Sequence, residues 1–194
     1  MIEKALTIKN VSEKNKITYK TIISIGIIIL SVVLPQIFHI FVGAKGGMKW
    51  LPMYLPVLIG GCLLGVKWGL LIGVLSPLTS FIITSIAGNP MPQFTMLPFM
   101  MIELAIYGAI SGLFSKKIGE NGLWVFASVF ASIIVGRSVY FGLELLFHNV
   151  VNFSMEMIVN QMKNCVYGLT LQIIIVPIIV IILKKLIIKE KKNE

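Results

Sequence analysis

The chain has 194 residues, of which 57% are hydrophobic and 13% charged, and its net charge is +9. Soluble domains carry about 25% charged residues, so this composition excludes an ordinary soluble domain. The positive charge does not indicate a nucleic-acid-binding protein either. The lysines cluster at the chain ends and in short loops rather than on one basic face beside aromatic residues.

Long apolar segments predict an all-α membrane protein, a bundle of six transmembrane helices. A helix needs about 20 apolar residues to cross roughly 30 Å of hydrocarbon. The helices are expected at residues 21–41, 53–66, 68–87, 94–114, 122–147 and 165–188. The whole transmembrane domain then covers 21–188, between a basic cytoplasmic segment at 1–20 and a basic cytoplasmic tail at 189–194.

The segment 53–87 admits two interpretations. As one helix its 35 residues would reach about 50 Å, which is too long for a single crossing. A turn at Lys67 divides it into two helices, and the lysines favour this division. With six helices, 13 lysines lie on one side and three on the other. The positive-inside rule then places both chain ends in the cytoplasm, with 42–52, 88–93 and 148–163 as external loops. The last of these loops also allows an interfacial helical turn.

Small residues recur every three or four positions in the middle helices. They are Gly61, Gly65, Gly69 and Gly73 in helices two and three, Ala105, Gly108, Ala109 and Gly112 in helix four, and Ser128, Ser132 and Gly136 in helix five. Such spacing allows helix backbones to approach closely in lipid. It predicts packing within the chain or contact with a partner membrane protein.

Three ionisable residues lie inside the predicted helices, namely Glu103, Arg137 and Glu144. Burying each of them in a bilayer is costly, so each needs a partner or a function. At ~1.5 Å per residue, Glu103 in helix four and Arg137 in helix five lie at equal depth. A structural ion pair between them and direct contact with a ligand both stay open.

Polar residues form one stripe on helix five and another on helix six. The first contains Arg137, Tyr140, Phe141, Glu144 and His148, and the second Gln161, Asn164, Gly168 and Gln172. Both stripes lie in the outer half of the predicted bundle. They predict a polar cavity that opens outward between helices four, five and six. Hydrogen bonding between the helices, without a ligand, is the alternative.

The candidate substrate-binding residues follow from these patterns. They are Arg137, Glu103, Tyr140, Glu144, Asn164, Gln172, His39 and Asn89. His39 lies near the outer end of helix one, where packing at the membrane interface is the alternative role. Asn89 belongs to the loop expected at 88–93.

Motifs of known enzyme classes are absent from the sequence. It contains no Walker A motif, no HExxH, no GxSxG and no acidic cluster for Mg²⁺. We therefore expect no enzymatic activity, no ATP hydrolysis by this chain, no cofactor and no metal site. Cys62 and Cys165 lie in different apolar segments and are expected to be free thiols.

Several motifs together resemble the substrate-binding S component of an energy-coupling factor (ECF) vitamin transporter. They are Met53-Tyr54-Leu55-Pro56-Val57-Leu58, the four glycines from Gly61 to Gly73, Leu75-Ser76-Pro77-Leu78 with Ser80, Glu103-Leu104-Ala105 with Tyr107-Gly108, Gly136-Arg137, and Leu171-Gln172 to Pro177 with Lys184-Lys185. Similar sequences often carry His where this chain has Tyr54. The Ala-xxx-Ala contact motif typical of helix one is not intact here.

The resemblance implies a multi-pass protein of the cell membrane that binds a scarce vitamin or precursor from outside. It implies docking on a membrane-embedded coupling subunit driven by two ATPase subunits. Pyridoxine, hydroxymethylpyrimidine and pantothenate are all open as ligands. The alternatives are a small membrane scaffold or accessory subunit with a structural Glu–Arg pair, a stand-alone secondary transporter, and a small membrane enzyme.

Overall fold

The computed structural model describes residues 12–43, 49–151 and 154–190, without the side chains of Glu13, 148–151 and 187–190. These ranges contain helices and no strand, which confirms the all-α class. The helices are α1 (Glu13–Val42), α2 (Tyr54–Leu64), α3 (Val66–Ile86), α4 (Leu97–Leu113), α5 (Ser115–Glu120), α6 (Trp124–Val151) and α7 (Met155–Glu190).

Four of the described helices are long and apolar enough to cross a membrane, namely α1, α3, α6 and α7. The apolar helices α2 and α4 are shorter, with 11 and 17 residues. Large apolar side chains are exposed along α1, among them Ile22, Ile25 and Ile29. Such surfaces are stable against lipid rather than water. The chain is therefore a multi-pass membrane protein.

The segment 53–87 forms two helices, as predicted, but the break lies at Gly65 rather than Lys67. Gly65 has φ +90°, a conformation that costs a residue with a Cβ far more than it costs glycine. The chain turns back on itself there, so that a Cβ on Gly69 would lie 2.9 Å from the Gly61 Cα. Lys67 is exposed in the first turn of α3.

The glycine pattern brings α3 and α4 into backbone contact. A Cβ on Gly69 would collide with the Gly108 carbonyl, and one on Gly73 would lie 2.7 Å from the Ala105 Cα. Near the Gly65 turn, a Cβ on Gly112 would lie 2.5 Å from the Val66 nitrogen. These glycines therefore pack within the chain.

Small residues also set the distance between α4 and α6. The Ser128 hydroxyl donates a hydrogen bond to the Ser111 carbonyl at 3.3 Å, and Gly136 packs against the ring of Tyr107. Any larger residue at position 136 would displace that ring. This contact holds the next residue of α6, Arg137, beside α4.

Most of the segment 148–163 is helical, so the expectation of a loop is wrong there and the alternative of a helical turn fits better. The helix α6 continues to Val151, and α7 already begins at Met155. Ser154 starts α7, since its hydroxyl accepts a hydrogen bond from the Met157 N–H at 3.2 Å. The polar residues that suggested a loop, such as Glu156 and Lys163, are exposed, whereas Ile158 is buried. An amphipathic helical turn explains both observations.

Two other boundaries differ from expectation. The helix α1 starts at Glu13, so that residues 13–20 of the basic N-terminal segment are helical. The stretch between the helices predicted at 94–114 and 122–147 contains the short helix α5, whose Ile118 is fully buried.

Candidate ligand-binding site

An ion pair between two helices lies at the centre of the candidate site. Arg137 Nη1 of α6 is 3.1 Å from Glu103 Oε1 of α4. Glu103 is fully buried and Arg137 is 7% exposed. The Tyr54 hydroxyl, from the first residue of α2, donates a hydrogen bond to Glu103 Oε2 at 2.5 Å. Three helices thus meet at one carboxylate.

Aromatic rings surround the guanidinium group of Arg137. Its central carbon lies 5.0 Å from the Tyr54 ring centroid, 5.5 Å from that of Tyr140 and 5.9 Å from that of Phe141. The ring of Tyr107 packs edge-on against Tyr54 at 5.1 Å. Aromatic faces attract cations, and the attraction is stronger where water is excluded. The rings therefore help to stabilise a charge inside the membrane.

Arg137 retains hydrogen-bonding capacity that its surroundings do not use. Its Nε and Nη2 atoms are buried, and neither has a hydrogen-bond partner among the described residues. Buried polar groups in folded proteins are nearly always hydrogen-bonded, and exceptions call for a specific explanation. Two unpartnered donors inside an aromatic cluster fit a place where a ligand acceptor binds.

Tyr140 extends the polar surface from Arg137 towards the C-terminal end of α6. Its hydroxyl accepts a hydrogen bond from Gln161 Nε2 of α7 at 2.7 Å and contacts Met96 Sδ at 3.7 Å. One turn further along α6, Glu144 is 1% exposed, and its Oε2 has no hydrogen-bond partner among the described residues. Arg137, Tyr140 and Glu144 therefore share one face, as predicted.

The buried face of α7 differs from the predicted stripe by one position. Gln161, Gly168 and Gln172 point inward, but Asn164 is exposed and Cys165 is buried in its place. Gly168 lies against the backbone of Trp50, where a Cβ would be 2.8 Å from the carbonyl carbon. Residues 161, 165, 168 and 172 are three or four positions apart, so they form one continuous stripe along α7.

Three further candidates make no described contact with Arg137. Gln172 is fully buried, with both amide atoms unpartnered in the described part of the chain. His39 is half-buried on α1, and Asn89 is exposed in the loop after α3. Among the described residues, no hydrogen bond, ion pair or ring contact joins these side chains to Arg137. The His148 side chain lies outside the described residues.

Two residues of the charged and aromatic cluster, Tyr54 and Gln161, were not among the candidate site residues expected from the sequence. Tyr54 is 3% exposed and donates a hydrogen bond to Glu103. Similar sequences often carry His at this position, and that difference could have drawn attention to Tyr54. Gln161 belonged to the predicted stripe, but nothing in the sequence paired it with Tyr140.

An open groove of about 550 Å³ lies along α7. Its walls are mostly apolar and are formed by Trp50, Val166, Tyr167, Thr170, Leu171, Ile174 and Ile175. None of the predicted site residues lines it. The polar cavity expected between helices four, five and six therefore stays a prediction.

Comparison with known proteins identifies a family. The family model described as ECF transporter, substrate-specific component, matches residues 20–189 of the chain. The match includes every helix that contributes to the charged and aromatic cluster. The comparisons with curated proteins and with solved structures gave no significant match.

Proposed function

Because the chain belongs to the family of ECF transporter substrate-specific components, we propose that it captures a water-soluble vitamin or vitamin precursor outside the cell. The family consists of transporter subunits that bind a small molecule, not of enzymes. In the proposed cycle the chain docks on a membrane-embedded coupling subunit, and two ATPase subunits drive delivery of the ligand inward. The chain needs these partners because its own sequence has no Walker A motif.

One observation carries the assignment of the site. Arg137 is buried among three aromatic rings, and its Nε and Nη2 atoms make no hydrogen bond of standard geometry to a described residue, although the Tyr107 hydroxyl lies close enough to interact with the guanidinium. A purely structural ion pair is more stable when all its hydrogen bonds are made. The unpartnered donors favour a ligand whose acceptor atoms form the remaining hydrogen bonds of the Arg137 guanidinium.

We further propose that the protein lies in the cell membrane with both termini in the cytoplasm. The distribution of lysines supports this orientation. It places the C-terminal end of α6, with Glu144, nearer the outer surface than Arg137. A ligand arriving from outside would reach Glu144 and Tyr140 before Arg137.

The function is tested by separating binding from transport. We expect the purified chain to retain a small molecule that mass spectrometry detects after extraction, and to bind it without ATP. Liposomes containing the chain alone should not accumulate that molecule. Liposomes that also contain the coupling and ATPase subunits should accumulate it when ATP is supplied inside. Uptake by the chain alone would instead identify a stand-alone secondary transporter.

The ion pair itself favours a second function, that of a scaffold or accessory subunit with a structural Glu–Arg pair. Glu103 already has two partners, Arg137 and Tyr54. If this function is correct, the purified chain retains no small molecule, and uptake by the assembled transporter does not depend on Arg137.

A further inference from the structure

The buried charges on α4 and α6 do not balance. Glu103 and Glu144 are two carboxylates within electrostatic range of one guanidinium, that of Arg137. Arg137 forms its ion pair with Glu103. The neighbouring Tyr54, Tyr140 and Cys165 are neutral in their ordinary states. In the described part of the chain, the site thus lacks one positive charge at Glu144.

The lysines nearest in sequence to this end of the bundle do not supply that charge. The Lys49 ammonium group lies over the Tyr167 ring, 4.2 Å from its centroid. Lys163 is exposed on α7, and neither lysine forms an ion pair with Glu144 among the described residues. Among the described residues, Glu144 interacts only with the Tyr140 hydroxyl and, less directly, with Arg137, which is already paired with Glu103. A buried carboxylate with so little compensation is unfavourable. A ligand is the natural source of the missing partner.

Glu144 and Arg137 offer opposite chemistry at the two ends of one helical face. They are seven residues apart, which corresponds to about 10 Å along the helix. Glu144 presents an unpartnered acceptor oxygen, whereas Arg137 presents two unpartnered donor nitrogens. Tyr140 lies between them, and Phe99 packs in the same buried cluster as Tyr140.

We propose that Glu144 selects the ligand by binding a nitrogen donor, either a protonated ring nitrogen or a ring amino group. The opposite end of the ligand carries an oxygen or nitrogen acceptor that faces Arg137. The inference rests on the proposed function and specifies its substrate class: basic nitrogen heterocycles, rather than carboxylate anions. An anionic ligand would add a second uncompensated negative charge beside Glu144.

The test uses the full chain in lipid nanodiscs and three named probes. Hydroxymethylpyrimidine has a ring amino group, pyridoxine has a basic ring nitrogen, and pantothenate is a carboxylate anion without a basic nitrogen. We expect calorimetry to show that one of the two heterocycles binds at least about 100-fold more tightly than pantothenate, as hydrogen bonds to charged groups imply. This comparison needs no variant.

The substitution Glu144→Gln tests the residue itself. It should weaken binding of the preferred heterocycle by roughly 10- to 100-fold and raise the melting temperature of the ligand-free protein, because it removes an unpaired buried charge. The matched control Glu156→Gln changes an exposed carboxylate on α7 and should leave affinity within about twofold of the parent.

Three results would overturn the inference. They are preference for pantothenate, failure of both heterocycles to bind, and a Glu144→Gln protein that binds like the parent. None of them removes the proposed function, which depends on ATP-driven uptake by the assembled transporter. An assembly that transports pantothenate, for example, would leave the transport function in place and refute the role of Glu144.

Discussion

The buried charge of Glu103 is stabilised by several neighbouring groups. Arg137 supplies the opposite charge and Tyr54 a hydrogen bond, while the aromatic rings around Arg137 replace part of the hydration that its guanidinium loses. Removing one member of such a set is costly, since the remaining charge stays buried without a partner. Replacing both charged members at once avoids that penalty.

The residue-scale prediction concerns the pair Glu103 and Arg137. Arg137→Ala should lower the free energy of unfolding by about 3–5 kcal/mol, because Glu103 is then left unpaired. The double variant Glu103→Gln with Arg137→Met should recover most of that loss. Thermal unfolding and ligand affinity are measured on the same purified proteins.

The two measurements separate a structural role from a ligand-binding role. We expect the double variant to fold but to bind its ligand weakly, because it lacks the donors of Arg137. A double variant that both folds and binds like the parent would show that Arg137 does not contact ligand. The ion pair would then be purely structural.

At the scale of the helices, the site depends on how closely α3, α4 and α6 approach one another. Gly69 and Gly108 bring the backbones of α3 and α4 into contact, and Gly136 places α6 against the Tyr107 ring. Helix association in lipid relies on such packing because there is no water to drive apolar surfaces together. The positions of Glu103 and Arg137 therefore depend on residues outside the charged and aromatic cluster.

The element-scale prediction compares one substitution at two helical glycines. Gly108→Ala should destabilise the protein by about 1–3 kcal/mol, because its Cβ would collide with the backbone of Gly69. Gly142→Ala is the matched control, since no atom lies within 4 Å of its Cβ position. It should leave stability unchanged or raise it by up to about 1 kcal/mol. Equal melting temperatures for the two variants would contradict the close contact between α3 and α4.

For the molecule as a whole, orientation in the membrane decides whether the site faces outward. Four described helices are long enough to cross, while α2 and α4 are short. If α2 and α3 act as separate crossings joined at Gly65, both chain ends lie on the same side. The lysine distribution then places that side in the cytoplasm.

The whole-molecule prediction concerns this orientation. Lys116 and Asn89 are exposed and lie near opposite ends of α4, so each is replaced singly by cysteine. On intact cells a membrane-impermeant thiol reagent should label Asn89→Cys and not Lys116→Cys. The parent protein is the control, because its two cysteines, Cys62 and Cys165, are buried. The reverse labelling pattern would invert the proposed topology.

The sequence by itself determined the class of the protein and its family. Long apolar runs can only be stable as helices in lipid, because each backbone polar group must be satisfied within its own segment. This local requirement yields an all-α, multi-pass protein, and the family match over 20–189 confirms the resemblance to ECF substrate-specific components. The spacing of Gly69 and Gly73 in α3 and of Gly108 and Gly112 in α4 also indicated close helix packing, since residues four positions apart lie on one helix face.

Only the tertiary structure decided which side chains meet. The approach of Tyr54 to Glu103 joins residues 49 positions apart, and the contact of Gln161 with Tyr140 depends on how α6 and α7 are aligned. The inward position of Cys165 rather than Asn164 depends on the rotation of α7, because neighbouring residues differ by about 100° around a helix. Periodicity locates a stripe within one helix, whereas distances between helices are set by packing against residues far away in the chain.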